Sequence, residues 1–335
     1  MRRTGPGPGR RAPLPVSVLH HLLDSIPPAS GAVVMGTGIV SVALRLDGRT
    51  ILADAMTAIA AVAWLGLAVL LPARALRDRE RFVVDLRHPT ALTSIAGTGV
   101  LGTSLTLAGF PALGVAALVV ALGIWIGLVP HVLRHWQLPT TGASFIVTVA
   151  TESLALLAAT LADRERTVWL LFAALGPFLL GLCFYVAVLV RFDPRQLLVG
   201  IGDHWVTGGA LAISTVVSGR IALAAQRTGT LWSGHGPLEA GALVLWSLTM
   251  VWLPLLIGAE LARPRLRYSV RRWSTVFPVG MYAACSFFVG RLTHLEGIVY
   301  FAEVWVWLAV AVWIAVACGM LRRTASLGAP EPAPG

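Results

Sequence analysis

Glu152 stands alone as a carboxylate deep in a run of apolar and hydroxyl residues, four positions after Thr148. Burying it ionised is costly, so it must be paired, protonated or facing water. No Arg lies at comparable depth. Two chemistries stay open: a neutral acid bonded to nearby hydroxyls, or a proton-coupling site. Hydroxyl stripes surround it. Ser30, Thr37 and Ser41 stand at i, i+7, i+11, and Thr207, Ser214 and Ser218 repeat that offset. Ser144, Thr148 and Thr151 make a third stripe, and Ser94, Gly97 and Ser104 a fourth. Side chains so spaced share one helix face and could line an aqueous path, although small residues also pack a solid bundle. Arg45, Arg220 and Arg291 fall at the far ends of three such stretches. There they would concentrate anions at a mouth or snorkel to the interface.

Other chemistry finds less support. His131 and His135 have an i, i+4 spacing that suits a metal, but no further ligand motif accompanies them, so no metal or other cofactor is expected. His88 and His204 precede apolar stretches, where they would bond a helix start or contact substrate, and Asp203 suits an N-cap. Cys183, Cys285 and Cys318 are far apart and make neither a disulfide framework nor a metal spacing. A polytopic membrane enzyme would need polar residues converging on one face, and the eight His are scattered.

These residues need positioning by elements that live in lipid. Of the 335 residues, 56% are hydrophobic and 13% charged. Ten apolar stretches cover roughly 28–46, 51–72, 90–109, 111–131, 143–162, 168–190, 205–224, 239–261, 275–292 and 298–320. Each is near the twenty or so residues a spanning helix needs. Their unbroken apolar runs exclude the alternation of barrel strands. The expected fold is all-α integral membrane, with one ten-helix domain over 27–321. Residues 1–26 read as a basic disordered tail that could include a short interfacial helix, and 322–335 as a disordered tail.

The ten helices divide into two kinds. The odd-numbered ones hold 35 Gly, Ser and Thr, the even-numbered ones 12, and the even set instead holds eight of the twelve Trp. Small side chains permit close helix approach, and Trp suits headgroup depth. The pattern predicts five hairpins, with odd helices inside around a pore and even helices outside. The net charge of +10 is all Arg on the basic side, and its placement argues against nucleic acid. The tails and the loops after even helices hold 19 Arg, the other side 7. The positive-inside rule then puts both termini in the cytoplasm of a multi-pass cell-membrane protein.

Four motifs in order resemble the tellurite-resistance/dicarboxylate transporter family. They are Pro28-Ala-Ser-Gly31 running into Met35-Gly-Thr-Gly-Ile-Val-Ser41, His88-Pro89, Gly202-Asp-His-Trp-Val-Thr-Gly-Gly-Ala210, and Trp273-Ser-Thr-Val-Phe-Pro-Val-Gly280. That family includes plant slow anion channels, bacterial tellurite-resistance channels and fungal malate permeases. The resemblance implies five hairpins around a pore, trimers of separate pores, and an aromatic residue on the ninth helix obstructing the path. The matching residue is Phe277, before Pro278, whose missing N–H can kink the helix. The implied function is passage of small anions: C4-dicarboxylates such as malate, tellurite, sulfite, halide or nitrate. The alternative is a proton-coupled carrier using Glu152.

Overall fold

A computed structural model describes residues 27–199, 202–230, 236–264 and 268–327. The expected basic tail and interfacial helix over 1–26 lie outside these residues. The described chain is helical throughout, with one isolated bridge between Thr140 and Phe192. Ten long helices follow in order: α1 Gly31–Leu46, α2 Thr50–Arg77, α3 Thr93–Leu107, α4 Pro111–Arg134, α5 Ile146–Glu165, α6 Val168–Leu189, α7 Val206–Thr228, α8 Gly236–Ala262, α9 Trp273–Leu292 and α10 Glu296–Leu327. The tail boundary expected after 321 falls inside α10.

Among the described residues, nine helices are long and apolar enough to cross a membrane. The helix outside that set is α3, where ten stretches had been expected. Its sequence, Thr-Ser-Ile-Ala-Gly-Thr-Gly-Val-Leu-Gly-Thr-Ser-Leu-Thr-Leu, is diluted by hydroxyls and glycines. Its 15 residues make roughly 22 Å of helix. The 3-10 turn Pro89–Leu92 leading into it adds about 8 Å, which together approach the hydrocarbon thickness of about 30 Å.

A repeated local design is visible at the helix starts. Turns of 3-10 helix at Pro28–Ser30, Pro89–Leu92, Gly142–Phe145, Asp203–Trp205 and Val270–Arg272 lead directly into α1, α3, α5, α7 and α9. These same five helices pack in a closed cycle: α1 on α3, α3 on α5, α5 on α7, α7 on α9, and α9 back on α1. Each also packs on the helix after it in sequence. Close approach needs small residues. A Cβ on Gly97 would come within 2.9 Å of the Gly31 carbonyl oxygen, and one on Gly209 within 2.7 Å of the Pro278 ring.

Burial follows the cycle. In the most apolar window of α1, α5, α7 and α9, between 78% and 100% of residues are buried; in α2, α4, α6, α8 and α10 the share is 11–28%. Most of α3 is buried as well. The exposed faces carry Val62, Leu65, Val69, Val119, Ile126, Leu179, Val251 and Ile314. Their apolar surface would be unfavourable in water and is at home against acyl chains.

Candidate functional site

The inner hydroxyls are placed by tryptophan. Trp64 of α2 donates its indole N–H to Thr98 of α3 at 2.9 Å, and Trp125 of α4 to Thr151 of α5 at 3.0 Å. Trp246 of α8 does the same to Ser286 of α9 at 2.9 Å, and Trp313 of α10 closes the circle on Thr37 of α1 at 3.0 Å. In each case the helix reached is the next member of the cycle. Thr98 and Thr151 donate to their own helix carbonyls, at 2.7 and 2.8 Å, so each hydroxyl both gives and receives. Among the described residues α6 makes no such clasp; there Trp252 of α8 donates to the Tyr185 hydroxyl of α6 at 2.8 Å. These tryptophans, expected at headgroup depth, serve as inward donors because a buried indole N–H needs an acceptor.

The hydroxyls expected to line a path have the following partners. Thr37 and Thr151 face exposed helices through their tryptophans. Ser41 bonds the Ala53 carbonyl and Thr57 of α2, at 2.8 and 2.7 Å. Ser104 bonds the Gly38 carbonyl of α1 at 3.0 Å, and Gly97 is a packing contact with Gly31. Ser30, Ser94 and Thr207 bond carbonyls three residues earlier. Ser144 accepts from the Thr141 backbone in a capping box. Ser218 is buried, and Thr148 is buried with an unpartnered hydroxyl.

Helix geometry identifies the opposite faces. A shift of two residues turns the chain about 200°. Met35 and Ile39 therefore lie opposite Thr37, Ala96 and Val100 opposite Thr98, and Val149 and Ser153 opposite Thr151. All of these side chains are buried. Phe277 precedes Ser286 by nine residues, about two and a half turns, so it points away from α8. It is completely buried. The α9 helix continues unbroken through Pro278, whose ring rests on Gly209 of α7.

Glu152 is completely buried. The Ser214 hydroxyl of α7 lies 2.8 Å from both its carboxyl oxygens. On its other side is Gly181 of α6, where an added Cβ would come within 2.2 Å of the Glu152 Cγ. The carboxyl thus sits in a slot between α5, α6 and α7, and no ion pair to it occurs among the described residues.

At the ends of the bundle, Arg45 pairs with Asp54, and Arg291 donates to the Leu46 carbonyl while lying 5.4 Å from the Phe287 ring centre. Arg220 is buried between Asp163, at 3.3 Å, and the Phe288 ring, at 4.6 Å. At the opposite end His88 caps the turn before α3, accepting from the Thr90 backbone N–H at 3.3 Å. Partial burial and, next, the Arg271 charge hold the His88 imidazole below the usual histidine range. Asp203 does not cap its own helix; its carboxylate accepts from the Ala143 N–H at 3.2 Å, tying the start of α7 to that of α5. His135 donates through Nδ1 to the His131 carbonyl at 2.9 Å. Sequence reasoning missed Asp163, a carboxylate hidden in an Arg-rich turn. It also missed the clasps, whose signal was the concentration of Trp in the even helices.

An all-helical membrane protein is thus defined by its apolar exterior and its cycle of buried helices. The model of the voltage-dependent anion channel family matches residues 25–321, and the chain belongs to that family. It is also similar to two uncharacterized membrane proteins of Mycobacterium tuberculosis, MT1776 of strain CDC 1551 / Oshkosh and Rv1735c of strain H37Rv. Each is 30% identical over 128 residues, which is 37% of this chain. The match covers 64% of the length of those relatives.

Proposed function

We propose that this protein is an anion channel of the cell membrane, built as five helical hairpins around a central path that Phe277 obstructs. The single observation that carries the reading is the position of Phe277: fully buried, on the face of α9 turned away from α8, in a closed cycle of five helices. An apolar ring in a narrow path excludes water, and a dry constriction stops ions without any charge. The cargo is a small anion: a C4-dicarboxylate such as malate, tellurite, sulfite, or halide or nitrate. Both termini are cytoplasmic, so the five 3-10 turns face the cytoplasm. Their helix N-termini each present about half a positive charge, which favours anion access from that side. The protein assembles as a trimer with one path per subunit. Reconstituted into planar bilayers and vesicles, it should carry anion-replacement currents that follow the anion gradient. Absence of current with every anion tested would refute the channel.

A second reading, a proton-coupled carrier, is favoured by one observation: Glu152 is buried beside Ser214 with no ion pair to a cation among the described residues. It predicts saturable uptake of radiolabelled malate, tellurite or sulfite driven by a pH gradient, with no unitary currents.

A further inference from the structure

The ends of α3, α5 and α7 opposite the 3-10 turns enclose a cavity of about 560 Å³ whose wall includes Asp163, Arg164, Arg166, Arg220 and Arg227. Arg227 Nη1 lies 2.9 and 3.0 Å from the two oxygens of Asp163, and Arg220 Nη1 lies 3.3 Å from one of them. One carboxylate therefore serves two guanidiniums. Arg164 and Arg166 add two more, and Glu165, exposed between them, is not part of the wall. Four cations against one anion leave a formal charge of +3. The carbonyl ends of three helices return roughly −1.5, so an excess of positive charge remains.

Helix capping explains part of this cluster. Arg164 and Arg227 lie in the last turns of α5 and α7, where cations offset the dipole. Arg220 lies two turns before the end of α7 and is 5% exposed, with its Nε–H unpartnered. A buried guanidinium is costly unless its charge is matched, and a shared carboxylate together with the face of the Phe288 ring matches it only in part. Asp163 also displays what the site accepts: a planar group whose oxygens take charge-assisted hydrogen bonds from two guanidiniums, one nitrogen of Arg227 reaching both oxygens and one of Arg220 reaching a single oxygen.

We propose that this cavity is a binding site for a small carboxylate or oxyanion, with Asp163 as the resident competitor that sets its affinity. The proposal rests on the anion-channel reading and adds a mouth where the anion is captured at the end opposite the 3-10 turns. Asp163 holds the guanidiniums in place when the site is empty, and an incoming anion shares them.

The test uses the full chain in detergent, titrated with sodium malate and with sodium sulfate at fixed ionic strength by calorimetry, alongside anion flux in vesicles. Wild type should bind at least one of the two saturably. Arg164→Ala/Arg166→Ala, which alters exposed side chains, should weaken binding at least fivefold. Asp163→Asn should tighten it at least threefold, a direction that damage to the fold would not produce. No saturable binding by wild type, or unchanged binding in the double variant, would overturn the proposal; so would unchanged or weaker binding by a folded Asp163→Asn. Binding with these responses but no flux would sustain the site and sink the channel. Flux with no change in binding would do the reverse.

Discussion

Replacing Phe277 with Ala separates a gate from a packing residue, because the two roles predict different outcomes in two measurements. Phe277 is completely buried. If it fills a solid core, losing the ring costs about 3–5 kcal/mol of stability and opens no route for ions. If it plugs a path, the ring must leave apolar surroundings whenever an ion passes. Burying a phenyl side chain is worth about 1.5–3 kcal/mol, and every 1.4 kcal/mol or so of barrier is a factor of ten in rate. Phe277→Ala should therefore raise anion flux about ten- to a hundredfold, with a smaller loss of stability than the core value because water fills the space. Phe277→Leu keeps an apolar plug and should fall between wild type and Ala. Flux is read in vesicles with an entrapped halide-sensitive dye, and stability by thermal unfolding of the purified protein. Flux within twofold of wild type, together with a melting point lowered as a core deletion would lower it, would refute the gate.

Three further outcomes follow from the same contacts. Glu152→Gln keeps the shape and the bond to Ser214 but removes the titrating proton; in the channel reading it leaves the pH profile of anion uptake unchanged, and loss of a pH dependence present in wild type would favour the carrier. A double-mutant cycle on Trp125→Phe and Thr151→Val should give a coupling of about 0.6 kcal/mol and at most about 1.7, the average and maximum for interhelical hydrogen bonds in a membrane protein; a coupling near zero would remove the clasps as an energetic feature. The His88 imidazole is held below its usual range by burial and by Arg271, so at neutral pH both folded and unfolded states are uncharged there. As pH falls below about 6.5 the unfolded chain takes the proton first and stability declines. His88→Gln should flatten that acid-side loss of melting temperature, and an unchanged slope would contradict the assignment.

The all-helical, membrane-spanning character was legible because lipid makes composition speak loudly. Backbone groups without water must be satisfied within the helix, so apolar runs translate directly into helices. The helices rich in Gly, Ser and Thr are also the more buried ones. Which way those hydroxyls point was not legible. Thr37, Thr98 and Thr151 lie on faces whose partners, Trp313, Trp64 and Trp125, are 276, 34 and 26 residues away. Periodicity finds a shared face but not its neighbour. The Trp signal was ambiguous for the same reason: an indole can reach a headgroup or an inner hydroxyl, and only the packing decides. Asp163 was overlooked because a carboxylate beside Arg164 and Arg166 reads in sequence as an ordinary charged turn, whereas its partners Arg220 and Arg227 come from another helix.

The slot that holds Glu152 resolves a conflict that composition alone creates. A fixed negative charge on an anion path would repel the cargo, and the stripe shared with Thr148 suggested such exposure. The carboxyl is instead lodged between Ser214 and Gly181, about 100° around α5 from Ser153, which lies on the face opposite the Trp125 clasp. Glycine at 181 is what makes room: an added Cβ would sit 2.2 Å from the Glu152 Cγ, far inside contact distance. Gly181→Ala should therefore push the carboxyl out of its slot, cost about 1–3 kcal/mol as an overpacked contact, and reduce anion flux severalfold. Glu152→Ala empties the slot, so adding Gly181→Ala to it should have little further effect on either flux or stability. The two changes must then be strongly non-additive, as expected of residues in direct contact. If Gly181→Ala is as damaging without the carboxyl as with it, the alanine is disturbing the α5–α6 packing in general. The claim that Gly181 keeps negative charge off the anion path would then fall.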